Sequence, residues 1–165
     1  VFICQGILHQ DELQPERKLE SISAENMLKV FTANTVIPSL WLKNLTPHLK
    51  STEPCKVALF SARIGSISDN QLGGWYSYRA SKAALNMMVK TFSVELARRA
   101  KNVKLLAFHP GTTDTPLSEP FQRSVPEGKL FTPEFVAAQL LSLLETLEMD
   151  GKASYMDWNH QSITW

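Results

Sequence analysis

"NVKLLAFHPG", residues 102–111, carries an apolar run from Val103 to Phe108 that only Lys104 interrupts, and it ends at Pro110-Gly111. A strand with one solvated face alternates apolar and polar residues, whereas so continuous a run reads as a strand buried on both faces. "KVALFS" (56–61) has the same character, and "VFICQG" (1–6) is a shorter version that ends at a glycine. "KASYMDWNHQSITW" (152–165) supplies a last strand and a tail.

Helical stretches separate these strands. "SAENMLKVFTANTVIPSLWLKNLTPHLK" (23–50) opens with Ser23 as an N-cap, and Pro38 inside it is expected to bend the helix or remove one backbone bond. "YSYRASKAALNMMVKTFSVELARRA" (76–100) is apolar nearly all round from Ala80 to Leu96, the pattern of a helix buried on more than one side. "TPEFVAAQLLSLLETLEMDG" (132–151) has Thr132 as N-cap, Pro133 at the first position, Glu134 in the first turn and Gly151 past its end. Residues 9–22, 62–75 and 112–131 read as loops.

The order is therefore β-α-β-α-β-α-β. It predicts an α/β fold: a doubly wound parallel sheet in three layers, α/β/α, with residues 1–165 in one domain. Ligands of such sheets sit at the carboxyl ends of the strands. Gly6, residues 61–68 and residues 110–115 should gather along that edge, where the helix opening at Tyr76 also begins.

Composition narrows the function. The chain has 165 residues, 44% hydrophobic and 20% charged, with a net charge of +1. That balance points to a globular domain and to no nucleic-acid or membrane partner. Cys4 and Cys55 form no metal or disulfide pattern, the four histidines have no ligand spacing, and no metal is expected. A reducing, cytoplasmic compartment is the default for such a chain. No apolar run is long enough to span a bilayer.

"WYSYRASKAALN" (75–86) holds the chemistry-bearing pair. Positions four apart share a helix face, so Tyr78 meets Lys82 while Tyr76 does not. An ammonium beside a phenol favours the phenolate and lowers its pKa, which makes the tyrosine usable as a proton donor or acceptor. Trp75 is a candidate wall of the pocket. Trp41, Trp158 and Trp165 read as packing residues, and His109, before Pro110, as structural.

"YSYRASKAALN" resembles the active-site helix of the short-chain dehydrogenase/reductase family. "FSARIGSISDNQLGGWYSYRASKAALN" (60–86) is especially similar to the C-factor and Sniffer-like branch. The resemblance continues through "FTANT", "HPGTTDT" and "YMDWNHQSITW" and covers essentially the whole chain. It implies a Rossmann-like fold and an NAD(P)-dependent oxidoreductase acting on a small-molecule carbonyl or alcohol. Tyr78 would be the acid/base, and Lys82 would hold the nicotinamide ribose. Asn34 would anchor a proton-relay water. Gly6, Pro110, Gly111, Thr113 and Thr115 would line the cofactor, with Thr115 bonding its carboxamide or a phosphate. Helices 23–50 and 76–100 would form a homodimer or homotetramer interface, with burial of these helices in the core as the competing reading.

Two departures from the family pattern matter. Its N-A-G reads Cys4-Gln5-Gly6 here, and its Ser-Ser at the end of the strand reads Ser61-Ala62. The second serine of that pair usually polarises the carbonyl. A one-residue shift turns a strand side chain to the opposite face, so Ser61 takes the role only if the strand has already broken into loop. Ser66 is the other candidate.

A dinucleotide site also needs a glycine-rich turn at a helix N-terminus. None of the seven glycines forms one. The resemblance places Val1 in the family's fourth strand and implies that three strands, the phosphate-binding loop and the residue selecting NAD or NADP lie upstream. Two alternatives remain beside the oxidoreductase: a non-catalytic, C-factor-like signalling or binding protein, and a truncated chain that binds no cofactor. The segment 116–131 is expected to shape specificity.

Overall fold

The structure, a computed structural model, describes residues 1–165. Strand β1 (Phe2–Ile3) is followed by helix α1 (Ala24–Phe31), a π-helical turn (Thr32–Val36) and helix α2 (Ile37–Leu49). Strand β2 (Cys55–Phe60), helix α3 (Tyr76–Arg99) and strand β3 (Val103–His109) come next. Short strands β4 (Thr112–Thr113) and β5 (Leu130–Phe131), helix α4 (Pro133–Thr146) and strand β6 (Ser154–Asp157) complete the chain.

The main sheet runs β1-β2-β3-β6 and is parallel throughout. Its centre is the β2–β3 pair, in register from Cys55 with Val103 to Phe60 with Phe108. Alternation along these strands explains the continuous apolar runs. Val57, Leu59, Leu105 and Ala107 face Leu42 of α2 and Leu85, Val89 and Leu96 of α3. Ala58, Leu106 and Phe108 face Val136, Leu140 and Leu143 of α4. Each fully buried leucine contributes about 2 kcal/mol of transfer free energy. The single stripe on α4 is therefore enough to hold that helix on its face of the sheet.

The long helix expected at 23–50 is interrupted. Ser23 caps it as expected, accepting the Asn26 N–H at 3.4 Å. At Thr32–Val36 it widens, and the Ile37 N–H reaches back to the Thr32 carbonyl. Pro38 has no N–H, and its ring would crowd the carbonyl four residues earlier, that of Asn34. The wider turn accommodates both effects, so the irregularity falls just before the proline.

Helix α3 is polar along part of its buried face, with Ser77, Ser81, Lys82, Asn86 and Ser93 buried, while Met87 and Val94 are exposed. Its apolar circumference is thus divided between core and surface. Helix α4 stops at Thr146, short of Gly151, because Leu147 turns extended and buries in the α4 core while Asp150 pairs with Lys104. Within the loop expected at 112–131, β4 and β5 pair in parallel, Thr112 with Leu130 and Thr113 with Phe131.

Candidate active site

The carboxyl ends of β1, β2 and β3 open onto a cavity of roughly 740 Å³. Gly6, Ser61, Ala62, Tyr78, Lys82 and the segment 109–113 line it, with Thr115. The edge expected from the sequence is therefore the edge that carries the pocket.

Tyr78 sits in the first turn of α3 and Lys82 one turn on, both buried. The Lys82 Nζ donates to the Phe60 carbonyl at 2.8 Å and lies 5.8 Å from the centre of the Tyr78 ring. The Tyr78 hydroxyl has no hydrogen-bond partner in the protein. Tyr76 does not line the cavity. Burial pulls the Lys82 ammonium down to about 8. Burial also raises the Tyr78 phenol above its ordinary value, with the neighbouring Tyr155 adding to the rise. The tyrosine is thus raised and not depressed as expected, because desolvation disfavours both charged forms in this pocket.

Asn34, in the wide turn, is fully buried. Its Oδ1 accepts the Ile7 N–H at 2.6 Å, and its Nδ2 donates to the Ile7 carbonyl at 2.9 Å and to Ser81 Oγ at 3.0 Å. Ser81 Oγ in turn donates to the Tyr78 carbonyl at 2.8 Å. Asn34 therefore ties the chain after Gly6 to the turn that bears Tyr78. A Cβ on Gly6 would stand 3.3 Å from Lys82 Nζ, so glycine leaves the ammonium uncovered.

The serine question has a geometric answer. Ser61 Oγ donates to Asn86 Oδ1 at 2.6 Å and is buried against α3. Ser66 Oγ accepts the Asp69 N–H at 3.2 Å, and Ser66 does not line the cavity. Ala62 does line it, and its carbonyl accepts the Tyr155 hydroxyl at 2.6 Å. Both serine hydroxyls are engaged elsewhere, and a methyl group stands at the usual serine position.

On the opposite wall, Gly111 has φ +73°, and a Cβ there would fall 2.7 Å from the Phe131 ring and 2.8 Å from Trp158. The turn after Pro110 therefore requires glycine. Thr113 Oγ1 is buried without a partner, and Thr115 Oγ1 donates to the Thr113 carbonyl at 3.3 Å. Burial pulls the His109 imidazole down to about 4, so it is neutral.

Trp75 walls the cavity mouth, its ring centre 4.9 Å from Phe121 and 6.2 Å from Tyr78. His9 meets Phe121 edge-on at 5.7 Å and bonds the Pro116 carbonyl through Nε2 at 3.0 Å. Sequence reasoning missed Glu16. It lies in the polar stretch 9–22, yet its carboxylate is buried against the start of α3, accepting the Ser77 N–H at 3.1 Å and the Ser77 hydroxyl. A single glutamate among many charged residues carries no pattern that would have singled it out. No group of three His, Cys, Asp or Glu side chains is placed to hold a metal, and no helix is long and apolar enough to cross a membrane.

The family model for short chain dehydrogenases matches residues 6–125. The chain is 33% identical to the 1-hydroxy-2-glutathionyl-2-methyl-3-butene dehydrogenase of Rhodococcus sp. (strain AD45), covering 95% of this chain and 65% of that protein. It is 29% identical to C-signal of Myxococcus xanthus, covering 89% of this chain and 83% of that protein. Among solved structures it resembles the carbonyl reductase Sniffer of D. melanogaster, with a TM-score of 0.83 at 22% identity, over 99% of this chain and 65% of that one. The sheet and its flanking helices are therefore Rossmann-like, and the chain spans about two thirds of the Rhodococcus and Sniffer proteins.

Proposed function

The chain belongs to the short-chain dehydrogenase family, and on that premise we propose that it carries the catalytic part of an NAD(P)-dependent oxidoreductase interconverting a carbonyl and an alcohol. The observation that supports this most directly is the Tyr78 hydroxyl, free of protein partners in the cavity, with the Lys82 ammonium held beside its ring by Phe60. Residues 1–165 act here as one part of a single Rossmann-type domain.

The residues present fit a nicotinamide. Gly6 leaves Lys82 open to a ribose hydroxyl, and Thr113 Oγ1 is a buried group in the cavity wall that lacks a partner. Lys82 and Tyr78 would hold the ribose, and residues Pro110 to Thr115 the ring and its amide. A bound nicotinamide supplies or accepts the hydride. Tyr78 gives its phenolic proton to the carbonyl oxygen in reduction and takes it back in oxidation. Lys82 favours the phenolate that remains. Asn34 fixes the turn that lets a relay water approach Lys82. The apolar mouth of Leu8, Trp75, Phe121 and Val125 suits a neutral substrate. The exposed Leu40 and Trp41 on α2, with Met87 and Val94 on α3, support a homodimer or homotetramer.

Replacing Tyr78 with phenylalanine in the complete protein is expected to abolish turnover while cofactor still binds. Unchanged turnover would sink the assignment.

A second reading, a non-catalytic binding or signalling protein on the same scaffold, is favoured by one observation: Ala62 offers no hydroxyl and Ser61 is tied to Asn86. The similarity to C-signal is in keeping with it. A panel of carbonyl compounds with NADH and NADPH separates the two, since this reading expects no reduction of any of them. Titrating the 165-residue chain with NADPH, followed by nucleotide fluorescence, tells whether these residues alone hold the cofactor.

A further inference from the structure

We propose that Glu16 is a positioning residue for the active site: its carboxylate caps helix α3 from outside and thereby sets Tyr78, while its backbone carbonyl holds Trp75. The role for Tyr78 rests on the oxidoreductase reading above; the capping itself does not.

Helix α3 begins without the groups that usually begin a helix. The first backbone N–H groups of any helix lack intrahelical partners, and a side-chain oxygen at the N-cap normally takes one. The N-cap here is Trp75, in the left-handed conformation at φ 51°, and its side chain makes no capping bond. The first turn, Tyr76-Ser77-Tyr78, contains no acidic residue to meet the positive end of the helix.

Glu16 supplies both missing terms from far along the chain. Only 5% of it is exposed. One carboxylate oxygen accepts the Ser77 N–H at 3.1 Å and the other accepts the Ser77 hydroxyl. Its backbone carbonyl accepts the Trp75 N–H at 2.6 Å, which holds the strained residue just before the helix. A single residue thus fixes the backbone on both sides of Tyr76 and places its charge one position before Tyr78.

The rest of α3 is anchored elsewhere. Lys82 bonds Phe60, and Asn86 bonds Ser61 and the Gly65 carbonyl. Those bonds hold the second and third turns against β2. The first turn, which carries the reacting hydroxyl, is braced by Glu16 and by the Ser81 and Asn34 contacts behind it. Losing the carboxylate frays the end where Tyr78 sits, while the backbone bond from Glu16 to Trp75 remains.

The test uses the full chain with fluorinated aromatic residues and ¹⁹F NMR. The Tyr78 and Trp75 resonances are assigned by Tyr78→Phe and Trp75→Phe, and Trp158, just after β6, reports on the sheet. Glu16→Ala removes the cap. Glu16→Gln keeps the volume and one acceptor oxygen, so it preserves the fold if the alanine variant does not. The expected result is a shifted or broadened Tyr78 resonance in Glu16→Gln with Trp75 and Trp158 unmoved, and restoration toward the original spectrum in Glu16→Asp. In the complete enzyme, kcat is expected to fall about tenfold in Glu16→Gln with cofactor affinity unchanged. An unmoved Tyr78 signal overturns the proposal. A collapse of every resonance in Glu16→Gln also overturns it, by making Glu16 a general fold residue. If the parent protein turns nothing over, the oxidoreductase reading fails, while the resonances still decide the capping.

Discussion

The Lys82 Nζ is suspended from the Phe60 carbonyl at 2.8 Å, so the last residue of β2 fixes the cation on the neighbouring helix. This bond crosses from the sheet edge to α3 where the cavity opens. It keeps the ammonium beside the Tyr78 ring although burial works against its charge.

That opposition predicts a pH dependence. An unfolded lysine titrates near its ordinary value of about 10.4, whereas burial lowers folded Lys82 to about 8. Between these values the unfolded chain binds more protons, so this residue's contribution to stability rises with pH across that window and is lost as pH falls through about 8. Replacing Lys82 with methionine should flatten the dependence. Urea denaturation of parent and variant from pH 8 to 9.5 should differ in slope by about 1 kcal/mol per pH unit. Above that range the raised Tyr78 and Tyr155 act in the opposite sense.

Ser61 and Ala62 are expected to respond in different assays. Ser61→Ala leaves Asn86 Oδ1 buried without its donor, at a cost of about 1–3 kcal/mol. Denaturation should register that loss. Ala62→Ser places a hydroxyl on the cavity wall. If that donor reaches the carbonyl oxygen, turnover in the complete protein should rise about tenfold or more. No gain would show that the wall at position 62 is too far from the reacting oxygen.

The parallel sheet was legible because its central strands are apolar without alternation, and burial on both faces follows from that pattern alone. Tyr78 and Lys82 were legible because helix spacing is fixed. The interrupted helix was half legible: Pro38 announced an irregularity, but where the backbone widens depends on the packing of Asn34 between Ile7 and Ser81. Glu16 was not legible, since its partner lies at residue 77 and no local pattern joins them. The direction of the Tyr78 pKa was misread because spacing reports the neighbouring charge and says nothing of how dry the pocket is.

Gly65 is a third point of leverage. A Cβ there would lie 2.8 Å from the backbone carbonyl carbon and the Cβ of Lys82. Neither is the end of a flexible side chain, so Gly65→Ala must push α3 off the loop after β2. A stability loss of about 1–3 kcal/mol is expected. Because the displaced residue is Lys82 itself, cofactor affinity in the complete protein should weaken as well. A stable variant that binds cofactor normally would mean that the helix yields without moving its ammonium.

At the other end of the sheet, Lys104 and Asp150 form a pair that the site does not use. Lys104 lies on β3 with its side chain 1% exposed, and its Nζ meets Asp150 Oδ1 at 2.5 Å. Asp150 is 39% exposed, so water reaches one partner only. Removing the carboxylate strands a buried ammonium, which costs about 2–4 kcal/mol, somewhat less than for a fully buried pair because the opening admits some water. Removing both charges avoids that penalty. Asp150→Ala should therefore be markedly less stable than the parent, and Lys104→Met combined with Asp150→Ala should recover most of the loss. Denaturation of the parent, both single variants and the double variant measures the coupling. Equal losses in Asp150→Ala and in the double variant would mean that Asp150 acts through the turn it forms with the Lys152 N–H at 2.9 Å and not through the lysine.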